Sequence, residues 1–116
     1  MMINAVYILK IDDRNSESIN DILMLITGRT QYSPGCLKSE IWHNLDLSEI
    51  MVNEIWQTEQ DLKRYISSPI FKRMLAVLEL SAAPPEIRFC DCSQVWGLDF
   101  IENVLISGHN KVLSIE

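Results

Sequence analysis

No run of Lys or Arg occurs in this 116-residue chain, and the net charge is -6. A nucleic-acid partner needs a concentrated basic face, so none is expected. Long hydrophobic runs are missing too. The longest clearly apolar one, Ile22 to Ile26, is far too short to span a bilayer, so no membrane insertion is expected. The first residues, MMINAVYILKIDD, carry no early basic residues and no small-residue cleavage site, which predicts a strand and not a signal peptide. Internal repeats, low-complexity segments and interdomain linkers are also absent. With 47% hydrophobic residues and this length, the chain suits one domain with one core.

Cysteine is scarce: Cys36, Cys90 and Cys92. An odd number without framework spacing points to a reducing compartment and a cytoplasmic location. Cys90 and Cys92 sit two apart on an expected strand and would share a face. Zinc sites usually space Cys further apart and need more ligands, so two small apolar sheet residues are the simpler reading beside a metal or redox pair. His43 and His109 have no partner at a ligand spacing. No structural metal is expected.

What is present orders itself as β-α-β-β-α-β. Ile3 to Asp12 alternates as a strand with apolar residues on both faces. After the Asp12–Asn15 turn, Asn15 or Ser16 caps a helix with Ile19, Ile22, Leu23 and Ile26 at helical spacing, and Gly28 marks the neighbourhood of its end. Tyr32-Ser-Pro-Gly-Cys36 is a turn in which Gly35 can take the left-handed position. Leu37 to Asn44 and Glu49 to Gln57 form a hairpin. Met51, Asn53, Ile55 and Gln57 point one way and Val52, Glu54 and Trp56 the other. Thr58 with Asp61 is a capping-box-like pair opening a short helix. Ser68 caps the next helix, with Pro69 at its first position and Ile70, Phe71, Met74, Leu75, Val77 and Leu78 on a wide apolar face. Pro84-Pro85 ends that region, and Glu86 to Ser93 is the fourth strand. This is the ferredoxin-like split βαβ order. Helices cover one face of a four-stranded antiparallel sheet. The other face stays rich in apolar side chains, so a second copy of the sheet is its natural cover and a homodimer is expected. Beyond that unit, Leu98, Ile101, Val104 and Leu105 have helical spacing, and Lys111 to Ile115 reads as a short strand.

The runs Tyr32-Ser-Pro-Gly-Cys36, Glu54-Ile-Trp56, Asp61-Leu62, Ser67-Ser68-Pro69-Ile70-Phe71 and Pro84-Pro85-Glu86-Ile87 together resemble the antibiotic biosynthesis monooxygenase domain family. The resemblance spans roughly Met2 to Val95 and implies a dimeric α+β barrel. Residues 1–95 are thus expected to form the domain, with residues 96–116 as a C-terminal extension of it. The family's motifs mark fold far better than activity.

The resemblance also implies a chemistry. Cofactor-free oxygenases of the family hold an electron-rich phenol or quinol among Asn, Trp and Tyr side chains between sheet and helices, so a small aromatic ligand and no cofactor are expected. Asn53, Trp56, Phe71 and Tyr7 are the candidate substrate-binding residues. His43 and Tyr65 are the candidate catalytic ones, His43 because imidazole is the side-chain type that exchanges protons near neutrality. Each has a plainer reading: Trp56 as a core anchor, Tyr65 as helix packing, His43 as a rim histidine, and Asn53 as a partner in a dimer interface. Strand alternation also puts Asn53 and Trp56 on opposite faces. The related haem-degrading enzymes carry an iron-binding His in the final helix where Leu75 or Val77 stands here, so haem breakdown by that mechanism is not expected. No nucleophile–base pair, metal cluster or phosphate loop excludes a second function, a non-catalytic dimeric domain that binds a small apolar ligand or stabilises an assembly. An ordered polar pocket holding His43 or Tyr65 would favour the oxygenase, and a pocket filled by Trp56 and the tail would favour the binding domain.

Overall fold

The computed structural model describes residues 2–91 and the backbone of Val112–Ile115. Strand β1 (Ile3–Lys10) leads to helix α1 (Ser16–Thr30), the hairpin β2 (Cys36–Asn44) and β3 (Glu49–Trp56), helices α2 (Glu59–Ile66) and α3 (Pro69–Leu78), strand β4 (Glu86–Asp91) and strand β5 (Val112–Ile115). The sheet order is β2-β3-β1-β4-β5, and every neighbouring pair is antiparallel. The expected ferredoxin-like α+β unit is thus present, with the C-terminal strand added beside β4. The helical spacing of Leu98, Ile101, Val104 and Leu105, and Cys92, lie outside the described residues.

Alternation along the central strands decides which side chains meet the helices. Ile3, Ala5, Tyr7 and Leu9 of β1, and Ile50, Val52, Glu54 and Trp56 of β3, are buried on the helix-covered face. From the other side, α1 supplies Ile19, Leu23 and Ile26, α2 supplies Leu62 and Tyr65, and α3 supplies Phe71, Met74, Val77 and Leu78. Asn4, Val6, Ile8, Met51, Asn53 and Ile55 occupy the opposite face and are half-buried.

The helix starts follow their local chemistry. Thr58 Oγ1 accepts from the Asp61 amide at 3.1 Å, and Ser68 Oγ accepts from the Phe71 amide at 3.4 Å with Pro69 at the first helical position. Asn15 is the N-cap of α1, but its side chain does not bond the helix; Asp12 Oδ1 instead accepts from the amides of Arg14 and Asn15 and turns the chain. That turn is why β1 stops at Lys10, short of the expected Asp12. Helix α1 ends at Thr30, two residues past Gly28, so Gly28 lies near its end as expected, and Thr27 and Thr30 continue its buried stripe. Gly35, at φ 82, adopts the left-handed conformation expected of it, and its carbonyl accepts from the Gln57 amide at 2.7 Å.

Candidate functional site

Glu54 sits on the helix-facing side of β3, between Val52 and Trp56, and is fully buried. Its carboxylate is surrounded by donors. Tyr7 Oη donates to Oε1 at 3.0 Å, Trp56 Nε1 to Oε1 at 3.1 Å, and Tyr65 Oη to Oε2 at 3.0 Å. Thr30 Oγ1 completes the chain, 3.2 Å from Tyr65 Oη. Burial pushes the carboxyl up to about 7, because the charged form is shut away from water. The bonds from Trp56, Tyr7 and Tyr65 pull the other way without cancelling that cost. Burial also raises both phenols, Tyr7 well above its ordinary range, and the Glu54 charge adds to this. Burial and the same charge push the Cys36 thiol up to about 11.

The aromatic wall expected at Trp56, Tyr65 and Phe71 is present, but it is packed solid. The Trp56 and Tyr65 rings lie 4.5 Å apart between centroids, Tyr65 and Phe71 5.3 Å, and Tyr7 and Phe71 6.2 Å. All four residues are buried. These rings fill the space between sheet and helices that a ligand would need.

His43 stands apart from them. It lies opposite Ile50 in the β2–β3 register, whereas Tyr65 stacks on Trp56 at the other end of β3. At about 3.3 Å per residue the two sites are roughly 20 Å apart along the strand. His43 and Tyr65 therefore do not share one site. The His43 ring is exposed at the lip of a groove of about 400 Å³ between α1 and β2. Its Nε2 is 2.8 Å from Asn20 Oδ1. An amide oxygen only accepts, so Nε2 carries the hydrogen and Nδ1 is left as the basic nitrogen. Met24, Thr27 and Gln31 form the helix wall of the groove, and Ser39, Glu40 and Ile41 form the strand wall. Ser39 Oγ, enclosed at that wall, is the one buried side-chain polar atom without a partner among the described residues.

Asn53 faces the opposite side of the sheet, as alternation requires. Its Oδ1 accepts from Asn4 Nδ2 at 2.7 Å and its Nδ2 donates to Glu40 Oε1 at 3.3 Å. Asn53 and Trp56 do not line one pocket. The sequence places Glu54 on the strand face of Val52 and Trp56, but it was not among the expected site residues. The signal was available: a carboxylate on the strand face that carries Val52 and Trp56 breaks an apolar pattern, and a charge at such a position needs partners.

Among the described residues there is no group of three or more His, Cys, Asp or Glu placed to hold a metal, and no helix long and apolar enough to cross a membrane. No protein-family model matches the sequence, and no curated protein is significantly similar to it. Solved structures do match in shape. Rv0793 from Mycobacterium tuberculosis superposes with a TM-score of 0.74 at 14% identity, over 84% of this chain and 100% of that one. A Caulobacter crescentus protein provisionally named an antibiotic biosynthesis monooxygenase gives 0.71 at 21% identity, over 80% and 91%. A mutant of SnoaB from Streptomyces nogalater, named a cofactor-independent oxygenase, gives 0.67 at 14% identity, over 81% and 95%. This chain has the ferredoxin-like α+β fold of the antibiotic biosynthesis monooxygenase proteins.

Proposed function

We propose that this domain is a cofactor-independent monooxygenase of a small phenolic substrate, a quinol or polyphenol, bound in the groove between α1 and β2. The observation that carries the reading is the His43–Asn20 pair at 2.8 Å on the lip of that groove. Asn20 fixes the imidazole with its hydrogen on Nε2, so Nδ1 is ready to take a phenolic proton. The phenolate then donates electrons to dioxygen. One oxygen atom bonds to the ring carbon, which loses its hydrogen as the ring becomes a quinone. The O–O bond breaks, and the second oxygen leaves as water with the two protons released. Dioxygen is the oxidant and no other electron donor is needed. Met24 and Ile41 supply apolar wall, and Ser39 Oγ offers a hydrogen bond to a second oxygen on the ring after rotation about χ1. The oxygenase name of SnoaB, a protein of the same fold, supports the reaction class.

Oxygen uptake with a panel of quinols and flavonoids tests the reading. The wild type should consume oxygen on at least one of them. His43→Ala should lower the rate about 10²-fold or more, the usual scale for a general base. Unchanged uptake in His43→Ala would remove the groove from the reaction.

The solid packing of Trp56, Tyr65 and Phe71 favours a second reading, a non-catalytic dimeric domain that binds a small apolar ligand or stabilises an assembly. No uptake by the wild type on any substrate of the panel would select it. Both readings use a homodimer formed through the open sheet face.

A further inference from the structure

Six of the nine described cations of this protein are neutralised locally. Lys10, Arg14, Lys38, Lys63, Arg64 and Arg88 each lie within ion-pair distance of a carboxylate. The other described cations, Arg29, Lys72 and Arg73, have no carboxylate partner among the described residues. Acids are missing around them in sequence: none stands between Asp21 and Glu40 or between Asp61 and Glu79. Two of the three, Arg29 of α1 and Arg73 of α3, line the same small groove on the outer surface of the helix layer.

The rest of that groove is apolar: Ile22, Leu25 and Ile26 from α1 and Ile70 from α3. Ile22, Leu25 and Arg29 recur at helical spacing, so α1 presents them side by side. They lie beside the stripe of Ile19, Leu23 and Ile26 that α1 buries in the core. Leu25 remains 66% exposed, so the core does not use it. The groove holds about 160 Å³, which is about five waters' share of liquid volume and suits a short apolar group.

We propose that this groove binds a small amphipathic carboxylate, with its apolar body against Ile22, Leu25 and Ile70 and its carboxylate taken by Arg29 and Arg73. Charge complementarity sets the head group. The guanidinium fork matches a carboxylate, is weakly hydrated, and sits beside apolar surface at less cost than an ammonium. The volume limits the tail. The inference is independent of the groove between α1 and β2, which lies on the other flank of α1 along Asn20, Met24, Thr27 and Gln31.

Amide chemical-shift titration with hexanoate, hexanol and acetate tests it. Hexanoate should give saturable shifts confined to residues 22–29 of α1 and 70–73 of α3. Hexanol lacks the charge and acetate lacks the body, so each should bind about tenfold more weakly or worse. Arg29→Gln and Arg73→Gln should each weaken hexanoate by about tenfold, the scale of a lost hydrogen bond to a charged group. Lys72→Gln, next to Arg73 but outside the groove, should leave binding within twofold. These side chains are exposed, and the unperturbed amides of the sheet report that each variant is folded. Non-saturating shifts at tens of millimolar would overturn the proposal. So would hexanol matching hexanoate, or Lys72→Gln weakening binding as much as Arg73→Gln.

Discussion

Tyr7 Oη donates to Glu54 Oε1 at 3.0 Å, and neither residue exposes any surface to solvent. The bond joins β1 to the helix-facing side of β3 at the centre of the sheet. It makes the interior of this domain responsive to protons, because the acceptor is a carboxyl whose ordinary ionisation lies well below neutrality and which burial raises to about 7.

Stability should therefore fall as the pH rises from about 4.5 to about 7. In that window the folded protein keeps the Glu54 proton while the unfolded chain has released it, so folding is coupled to proton uptake and each added pH unit weakens the fold. Above about 7 both states are ionised and the dependence from this group ends. A shift of this size corresponds to roughly 3 kcal/mol across the window, or on the order of 10 °C in Tm. Hydrogen bonds from Trp42 and Asn53 and the nearby Lys38 lower the half-buried Glu40 carboxyl, so its contribution has the opposite sign and lies below the window. Thermal melts from pH 5 to pH 8 measure the effect. Glu54→Gln should flatten the decline; a slope that survives the substitution would mean the proton binds elsewhere.

Tyr65→Phe probes the same cluster from the helix side. The hydroxyl donates to Glu54 Oε2 and lies 3.2 Å from Thr30 Oγ1. When Glu54 is ionised, Tyr65 donates to it and Thr30 donates to Tyr65. When Oε2 is protonated it can donate to Tyr65, whose hydrogen then turns to Thr30, so the chain of hydroxyls accommodates either state. Removing the hydroxyl leaves Thr30 Oγ1 and one carboxylate oxygen short of a partner inside the core. The expected cost is about 1–3 kcal/mol in chemical denaturation. It should be larger at pH 8 than at pH 5, because the lost donor served the anion, and the midpoint of the pH-dependent decline should move upward. Equal losses at both pH values would count against this account.

The elements of the fold were legible wherever one local rule acted alone. Thr58 and Ser68-Pro69 start their helices as capping chemistry demands, and strict alternation put Asn53 and Trp56 on opposite faces. The ends were less legible than the elements. The stop of β1 at Lys10 follows from the turn that Asp12 makes, and α1 ends near Gly28 as expected, two residues past it, where Thr27 and Thr30 find buried surroundings. The site was legible only in fragments. His43 was placed in the sheet, but its bond to Asn20 spans 23 positions in sequence and no periodicity announces it. Trp56, Tyr65 and Phe71 were rightly grouped, yet whether three rings enclose a cavity or fill it depends on distances that spacing does not fix. Glu54 draws its donors from β1, β3 and α2, an arrangement that exists only after folding.

Gly35→Ala should be among the costlier single-methyl changes in the chain. Gly35 has φ 82, a conformation that strains any residue with a Cβ, and an added Cβ would collide with the Asp61 carboxylate. Asp61 cannot simply turn away, because it is held by Thr58 Oγ1 at 2.7 Å and by Arg64 at 3.1 Å. A loss of about 2 kcal/mol or more in urea denaturation is expected from strain and displacement together. Asp61→Ala in the Gly35→Ala background should recover part of it, so the two changes should be non-additive. Simple additivity would mean that the two side chains do not meet.

The open face of the sheet supports the last prediction, that the protein is a homodimer at micromolar concentration. Val6 and Ile8 of β1 and Met51 and Ile55 of β3 stand on that face, and Trp42 beside Met51 is 55% exposed. The polar groups among them are already tied together: Asn4 donates to Asn53, and Asn53 donates to Glu40. A self-paired polar strip within an apolar face can be covered with little loss of hydrogen bonding, which is what a second copy of the same face requires. A stable interface of this kind should bury more than about 1,200 Å² in total. Sedimentation velocity should give one species at twice the chain mass. Met51→Arg places a charge at the centre of the face without touching the helix-covered core, so it should shift the protein to monomer while leaving its circular dichroism unchanged. A wild-type monomer would contradict the prediction. A Met51→Arg dimer of undiminished affinity would put the interface on another surface.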